Sequence, residues 1–145
     1  MVRYLVILLL SFILMASSCE HKETDDCHRF INIENNSNYE LTISISNLYP
    51  DSVSSQGFGS FDASFNPSIP AHTTGKLQAE FYNCLENSMN SKSTYKHGVM
   101  MLFFFNKQIV SNVSWDTIIK KRMYLKKYDL TLEDLQARNW TITYP

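Results

Sequence analysis

Apolar and polar residues alternate in two neighbouring stretches of the chain, residues 29–34 and 39–46, and many of the apolar residues are β-branched. Alternation over this length is typical of half-buried β-strands. The apolar residues of the second stretch share one face: Leu41, Ile43 and Ile45. Residues 35–38, Asn-Asn-Ser-Asn, lie between the two stretches, and such side chains favour tight turns. The pattern therefore predicts two strands joined as a β-hairpin.

The middle of the chain predicts two further strands. Residues 71–76 resemble a turn that precedes an edge strand, and residues 77–82 continue as that strand. Residues 84–92 are polar and predict a loop, with at most a short helical turn. Residues 99–105, which follow Gly98, form a continuous apolar run. A run of this length fits a strand that is buried on both faces, so it predicts the central strand of the domain.

The C-terminal third has the most regular pattern. It predicts short helices over residues 115–121 and 131–138 and strands over residues 123–129 and 140–145. Ser114 precedes the first helix as its N-cap, and Thr131 opens the second segment as its N-cap. We expect Trp115 and Trp140, which lie at element ends, to be largely buried. The predicted fold class is mainly β, with sandwich-like antiparallel sheets and two short helices in the C-terminal third.

Residues 49–70 form a long connection for a compact domain, and such connections of more than about 15 residues are usually functional or mobile. Four aromatic residues lie in it: Tyr49, Phe58, Phe61 and Phe65. The simpler interpretation packs them over the sheet as a small additional core. The alternative makes them a binding platform for a sugar or a peptide.

The first 18 residues differ in composition from the rest of the chain. A short positive head, Met1-Val2-Arg3, is followed by twelve residues without charge, 4–15. As a helix this run extends about 18 Å, which is too short for a hydrocarbon core of about 30 Å. Residues 1–18 therefore predict a signal peptide.

Residues Ala16-Ser17-Ser18-Cys19 resemble the lipobox of bacterial lipoproteins, in which the cysteine is acylated and becomes the first mature residue. Ala16 stands where leucine is most common, a relaxation that is similar to lipoproteins of the Bacteroidetes. The resemblance implies lipid attachment at Cys19 and an outer-membrane location, at the cell surface or the periplasmic face. The alternative is an ordinary secretory signal, cleaved nearby, with an incidental cysteine.

The residues that follow predict an acidic tether over 19–26, before a single β-rich domain over 27–145. Four of the seven residues after Cys19 are acidic. This composition resembles the acidic export tag of surface-exposed Bacteroidetes lipoproteins, although an ordinary solvated linker has the same composition. The whole chain has a net charge of −1, so it lacks the electrostatic footprint of a nucleic-acid binder.

The chain has three cysteines, and acylation of Cys19 leaves Cys27 and Cys84. In an exported protein two remaining thiols tend to oxidise, and both residues lie at the ends of predicted strands, where a bridge distorts neither strand. The sequence therefore predicts a Cys27–Cys84 disulfide. The alternative is a pair of free thiols.

The C-terminal segments also carry a resemblance to a protein family. Residues 113–117, 128–135 and 139–145, together with 27–29 and 35–37 near the start of the domain, resemble a family of small, uncharacterised lipoproteins of Bacteroides and related Bacteroidetes. The resemblance covers most of the mature chain. It implies a secreted, lipid-anchored, β-rich domain, and it implies no particular activity.

The sequence has no motif that indicates a catalytic or metal site, and no cofactor is expected. Its histidines are scattered and predict surface residues: His21, His28, His72 and His97. Neither a nucleophile elbow nor a phosphate-binding loop is present. Four aspartates could pair in space as the two carboxylates of a glycosidase do: Asp51, Asp62, Asp116 and Asp129. Nothing in their spacing requires such a pairing.

A cluster of basic residues lies within residues 120–127: Lys120, Lys121, Arg122, Lys126 and Lys127. Solvated faces of a helix end and a strand explain it, and contact with lipid headgroups is the alternative. Taken together, the sequence favours a non-enzymatic binding or accessory lipoprotein of the cell envelope, with a glycan or a protein as ligand. The alternative is a small hydrolase that acts on envelope or host glycans.

Overall fold

The computed structural model describes residues 24, 26–50, 67–78, 83–91, 94–95 and 97–145. The strands in these ranges are β1 (Phe30–Asn35), β2 (Leu41–Ser46), β3 (Ser68–Ile69), β4 (Thr73–Gln78), β5 (Met100–Asn106), β6 (Lys126–Leu130) and β7 (Thr141–Tyr144). The helices in these ranges are α1 (Leu85–Asn90), α2 (Lys107–Asn112), α3 (Trp115–Lys120) and α4 (Leu132–Ala137). The domain is therefore mainly β, as predicted, and the described ranges hold four short helices where the sequence predicted two.

The strands form two sheets. The first has the order β4-β1-β7 and the second the order β3-β2-β5-β6. All pairs of the second sheet are antiparallel. In the first sheet β1 is antiparallel to β4 but parallel to β7. The parallel pair arises because the chain returns to β1 only after it has built the second sheet, through a crossover that ends in α4.

The two sheets face each other across a main core. In the first sheet Ile31 pairs with Leu77 of β4, and Ile33 pairs with Ile142 of β7, and all four side chains are buried. The second sheet contributes Leu41, Ile43, Ile69, Met100, Leu102, Phe104 and Leu130. One end of this core is closed by residues of α1, α4 and their flanking turns: Leu85, Met89, Tyr95, Leu135 and Trp140. The arrangement is a sandwich, and Leu41, Ile43 and Ile45 share its inner face as predicted.

A second core lies on the opposite face of β5. Met101, Phe103 and Phe105 alternate with the main-core residues of that strand and pack with Ile118 of α3. Half-buried residues of α2, α3 and the following turn pack against them: Val110, Val113, Trp115, Ile119, Met123 and Tyr124. Because β5 lies between β2 and β6 and is buried on both faces, the prediction of a central strand is confirmed.

The predicted hairpin is wrong, because β1 and β2 belong to different sheets. Asn35, at the end of β1, is 1% exposed, and its side-chain amide donates to the carbonyl oxygens of Tyr39, Ile69 and Pro70 at 2.9, 3.1 and 3.0 Å. Its Oδ1 accepts from the backbone N–H and the hydroxyl of Ser37. The Asn-rich segment is thus a corner between the sheets, held by one buried amide that has all its hydrogen bonds.

Three element boundaries also differ from the predictions. Residues 73–76, predicted as a turn, are the first residues of β4, while residues 79–82 lie outside the described ranges. Residues 84–92, predicted as a loop with at most a short helical turn, contain the six-residue helix α1. The strand predicted from residue 123 begins at Lys126, because the chain first closes α3 with hydrogen bonds from Arg122 and Met123 back to its last turn.

Candidate functional site at the Cys27–Cys84 bridge

The sulfur atoms of Cys27 and Cys84 lie at disulfide-bonding distance, as predicted from the cysteine count. Their Cα atoms are 4.8 Å apart, and 57 positions of sequence separate them. Cys27 lies just before β1, and Cys84 is the residue that precedes the first turn of α1. The bridge therefore joins the beginning of the domain to α1 without entering a strand.

A histidine and a glutamate lie beside this bridge. His28 Nδ1 is 2.6 Å from Oε1 of Glu86, and the backbone N–H of His28 donates to the same carboxylate at 3.0 and 3.2 Å. The carbonyl oxygen of His28 accepts from the backbone N–H of Leu85 at 2.7 Å. Both polar groups of the His28 backbone are thus tied to α1.

The imidazole of His28 stacks on Trp140, with ring centroids 4.0 Å apart and an interplanar angle of 14°. Trp140 is 7% exposed and belongs to the main core. The side chains of His28 and Glu86 are 25% and 15% exposed, so the pair is partly buried and still in contact with solvent. We call Cys27, His28, Cys84, Glu86 and Trp140 the clamp.

Helix α4 places Trp140 for this stack. At its start the Thr131 hydroxyl accepts from the backbone N–H of Asp134, and the Asp134 carboxylate accepts from the backbone N–H of Thr131, which is a capping box. The backbone hydrogen bond from Thr131, followed by its side-chain hydrogen bond, lowers the pKa of Asp134. The predicted Thr131 cap is confirmed.

The end of α4 is a Schellman motif. Asn139 donates to the carbonyl of Gln136 at 3.0 Å, and Trp140 donates to the carbonyl of Leu135 at 2.9 Å. Asn139 and Trp140 both have positive φ, 49° and 55°. Asparagine tolerates this conformation well, and the left-handed turn directs the chain from α4 into β7.

The two tryptophans differ in burial. The prediction for Trp140 is confirmed, whereas Trp115 is half-buried and packs against the second core, with its ring 5.4 Å from that of Phe105. Trp115 begins α3, which packs on the outer face of the second sheet. The edge position therefore gives it less cover than the main core gives Trp140.

The sequence predicted the cysteine pair of the clamp but not the contacts of His28 with Glu86 and Trp140. A histidine oriented by a carboxylate is the geometry of many general bases. The contacts that the structure gives to His28 are nevertheless with α1 and Trp140, which are parts of the fold itself. The arrangement therefore fastens the start of the domain to its core. The sequence contained a usable signal, because a Cys27–Cys84 bridge necessarily brings the neighbouring His28 and Glu86 close together.

The other histidines in the described ranges contact different residues. His72 bonds Asn38 at an exposed turn, and the ring of His97 lies 6.1 Å from that of Tyr49. Tyr49 packs against the second core, as the simpler interpretation expects. Other candidates lie outside the described residues: Cys19, His21, Asp51, Phe58, Phe61, Asp62 and Phe65. Within the described ranges, no group of three or more His, Cys, Asp or Glu side chains could hold a metal ion.

Of the four aspartates that could pair as glycosidase carboxylates, the two in the described ranges lie on different elements. Asp116 is exposed in the first turn of α3, and Asp129 lies on β6, where its carboxylate is 2.8 Å from the Lys127 ammonium. None of the helices in the described ranges is long and apolar enough to cross a membrane. No family model, curated protein or solved structure matches the chain.

Proposed function

We propose that the protein is a lipid-anchored component of the bacterial cell envelope, acylated at Cys19 and held at the outer membrane as a non-enzymatic binding or accessory protein. The apolar run before Cys19 and the acidic residues after it support the anchor. The observation that carries the proposal is the clamp. A bridge between Cys27 and Cys84 is what an oxidising, extracytoplasmic compartment allows, and it lies directly after the proposed tether.

The position of the clamp also suits a tethered domain mechanically. A pull on a lipid anchor passes along residues 20–26 and reaches the domain at Cys27. Just beyond it, β1 is the central strand of the first sheet, between β4 and β7. Without the clamp, tension on the tether acts on β1 and opens both of its pairings. The bridge to Cys84 and the bonds between His28 and Glu86 transfer that load to α1 and the main core.

Membrane fractionation of cells that produce a Cys19→Ala variant tests the proposal. The native protein should stay with membranes through a high-salt wash and leave them in detergent, because several acyl chains anchor stably. The Cys19→Ala variant should be released. As a matched control, a Cys27→Ala and Cys84→Ala double variant should stay with the membranes, since it keeps the acylated residue. A Cys19→Ala protein that remains bound after the wash contradicts the proposal.

The non-enzymatic part of the proposal has a separate test. Purified protein, incubated with envelope or host glycans, should release no shortened products. Product release that is lost in Asp116→Asn or Asp129→Asn variants would replace this part of the proposal with the hydrolase, and it would leave the lipid anchor in place.

A further inference from the structure

Positive charge and exposed apolar surface coincide at one end of the domain. Where α3 ends and β6 begins, Lys120, Lys121, Arg122 and Lys126 are all exposed. Leu125, between them, is 38% exposed and is the exposed large hydrophobic residue of the described ranges. We call these five residues the cationic tip. Lysines and arginines around an exposed leucine are the composition of surfaces that lie against anionic membranes.

The charges of the cationic tip are not balanced within the described part of the chain. The ion pairs in these ranges join His28 to Glu86 and Lys127 to Asp129, and none involves a tip residue. The ammonium of Lys126 lies 4.9 Å from the centre of the Tyr128 ring. An aromatic ring attracts a cation but does not neutralise its charge as a carboxylate does. The tip is therefore a compact positive surface, although the whole chain has a net charge of −1.

Arg122 occupies a backbone position that does not favour it. Its φ is 51°, and it closes α3 in a Schellman motif, with its N–H donating to Ile119 at 3.0 Å. Glycine or asparagine normally occupies this position, because the left-handed region costs other residues about 1 kcal/mol. A residue held in strain at a surface suggests a role for its side chain. Here that side chain is an exposed guanidinium.

The backbone of the cationic tip is hydrogen-bonded to buried residues at both ends. Met123 donates to the carbonyl of Ile118, which is buried in the second core, and Leu125 donates to Phe104 of β5 at 2.7 Å. Both ends of the turn are thus fixed to buried residues. The exposed side chains project from a fixed backbone, which lowers the entropy lost when they bind a partner.

The position of the tip fits the membrane that anchors the chain. β6 is an edge strand that runs from the tip at Lys126 to Leu130, where α4 leads to the clamp. Its five residues span about 17 Å. The eight steps from Cys19 to Cys27 reach at most about 28 Å. The tether therefore allows the domain to lie on its side, with both the clamp end and the tip against the same surface.

We propose that the cationic tip binds anionic lipid headgroups of the membrane to which the chain is anchored, with Leu125 inserted between them. This proposal rests on the proposed lipid anchor, which keeps the tip close to that surface. The tip is then a second membrane contact that sets the orientation of the domain. It leaves the polar outer face of the first sheet, with Glu34, Thr74 and Lys76, free for a ligand.

Vesicle binding of the mature chain, residues 19–145 with Cys19→Ser, tests the tip without an acyl chain. At low salt we expect at least about 25-fold stronger binding to vesicles with about 30% phosphatidylglycerol than to phosphatidylcholine vesicles. Each tip cation near an anionic surface contributes about fivefold, so Lys121→Gln and Arg122→Asn together should weaken binding about 25-fold. About 0.5 M salt should abolish the difference between the vesicles. Leu125→Ser should weaken binding at both salt concentrations.

A charge-matched control separates the tip from net charge. Lys76→Gln and Arg138→Gln remove two exposed cations from the first sheet and from the end of α4. This double variant should bind within about twofold of the parent. Equal binding to both kinds of vesicle, or an equal loss in the control, overturns the proposal. Binding to soluble polyglutamate in place of vesicles, lost in the tip variants, also overturns it and assigns the tip to an acidic polymer. Neither result affects the Cys19 fractionation, which reports on the anchor alone.

Discussion

The clamp and the cationic tip lie at opposite ends of the domain and differ in whether their polar side chains have partners within the fold. At the clamp, the Glu86 carboxylate is bonded by both the side chain and the backbone of His28, and the ring of His28 is covered by Trp140. At the tip, four cations face solvent without an ion pair in the described ranges. The bonded groups define the fold, whereas the unpaired charges are available to a partner outside the chain.

This difference is confined to the surface. Below the tip, at the same end of the sandwich, Asn35 is fully hydrogen-bonded and Tyr39 and Tyr144 share a hydrogen bond of 2.9 Å between their hydroxyls. These side chains below the tip are thus hydrogen-bonded within the fold, as those of the clamp are. Substitutions should therefore change the unfolding free energy most at the clamp and least at the tip.

The largest effect is expected when the bridge is removed. A Cys27→Ser and Cys84→Ser double variant should lose roughly 4 kcal/mol of unfolding free energy, because the native bridge closes a loop of 57 residues in the unfolded chain. Denaturant titration of both proteins measures the loss, and a reductant should reproduce it in the native protein only. A loss below about 1 kcal/mol would show that the bridge is absent or that the clamp does not depend on it.

The second effect concerns the tryptophan of the clamp. Trp140→Ala should cost about 3 kcal/mol, since it removes a buried ring and the stack on His28. Trp115→Ala, the matched control on the outer face, should cost less because that ring is half-buried. Urea unfolding compares the two variants. A larger loss for Trp115 would contradict the assignment of Trp140 to the main core.

The third effect tests the interior below the tip. Burial, together with the hydrogen bond to Tyr39, raises the pKa of Tyr144 from 10.0 to about 12. Below pH 10 this phenol is protonated in both the folded and unfolded chain, so its contribution to stability is fully present. As the pH rises from 10 through 12, the unfolded chain loses the proton first, and the contribution disappears.

Stability measured against pH, with ultraviolet detection of tyrosinate, checks this prediction. Tyr144→Phe should remove that part of the alkaline loss of stability, and Tyr39→Phe should lower the pKa of Tyr144. Ionisation of all tyrosines near pH 10 in the folded protein would exclude the buried hydrogen bond.

The smallest effect is expected at the tip and has the opposite sign. Arg122→Asn should raise the unfolding free energy by about 0.5 kcal/mol, because asparagine tolerates the left-handed backbone there. Lys121→Asn, at the neighbouring residue with φ of −93°, is the control and should give no gain. Thermal unfolding at the same pH compares the stabilities of the two variants with that of the native protein. A destabilised Arg122→Asn protein would show that the guanidinium supports the fold and is not held for an external contact.

The elements predicted correctly from the sequence are those with local causes. The apolar run of β5 is visible because a strand buried on both faces has no polar alternation, and α4 is visible because Thr131 and Asp134 form its cap within one turn. The prediction of a hairpin was wrong for a physical reason. An Asn-rich turn between alternating strands has the same local signal whether the strands pair or separate, and the separation depends on contacts of Asn35 with Ile69 and Pro70, 34 and 35 residues away.

In the candidate sites, too, the features with local causes were predictable, and those that depend on distant contacts were not. The Cys27–Cys84 pair was predictable because only two cysteines remained after Cys19. The contact of His28 with Glu86 was missed because Glu86 lies in a segment that the sequence predicted as a loop, and its orientation depends on α1. The basic residues of the tip were visible in the sequence. The backbone strain at Arg122 and the exposure of Leu125 were not, because both depend on how α3 ends against the second core.

The mass of the protein extracted from membranes by detergent, measured intact without reductant, tests the central claim most directly. We expect a chain that begins at Cys19, carries acyl groups on that residue, and is two hydrogens lighter than its reduced form because Cys27 and Cys84 are joined. A chain that retains residues 1–18, or one whose Cys19 carries no acyl group, would contradict the anchor. An unchanged mass after reduction would contradict the clamp.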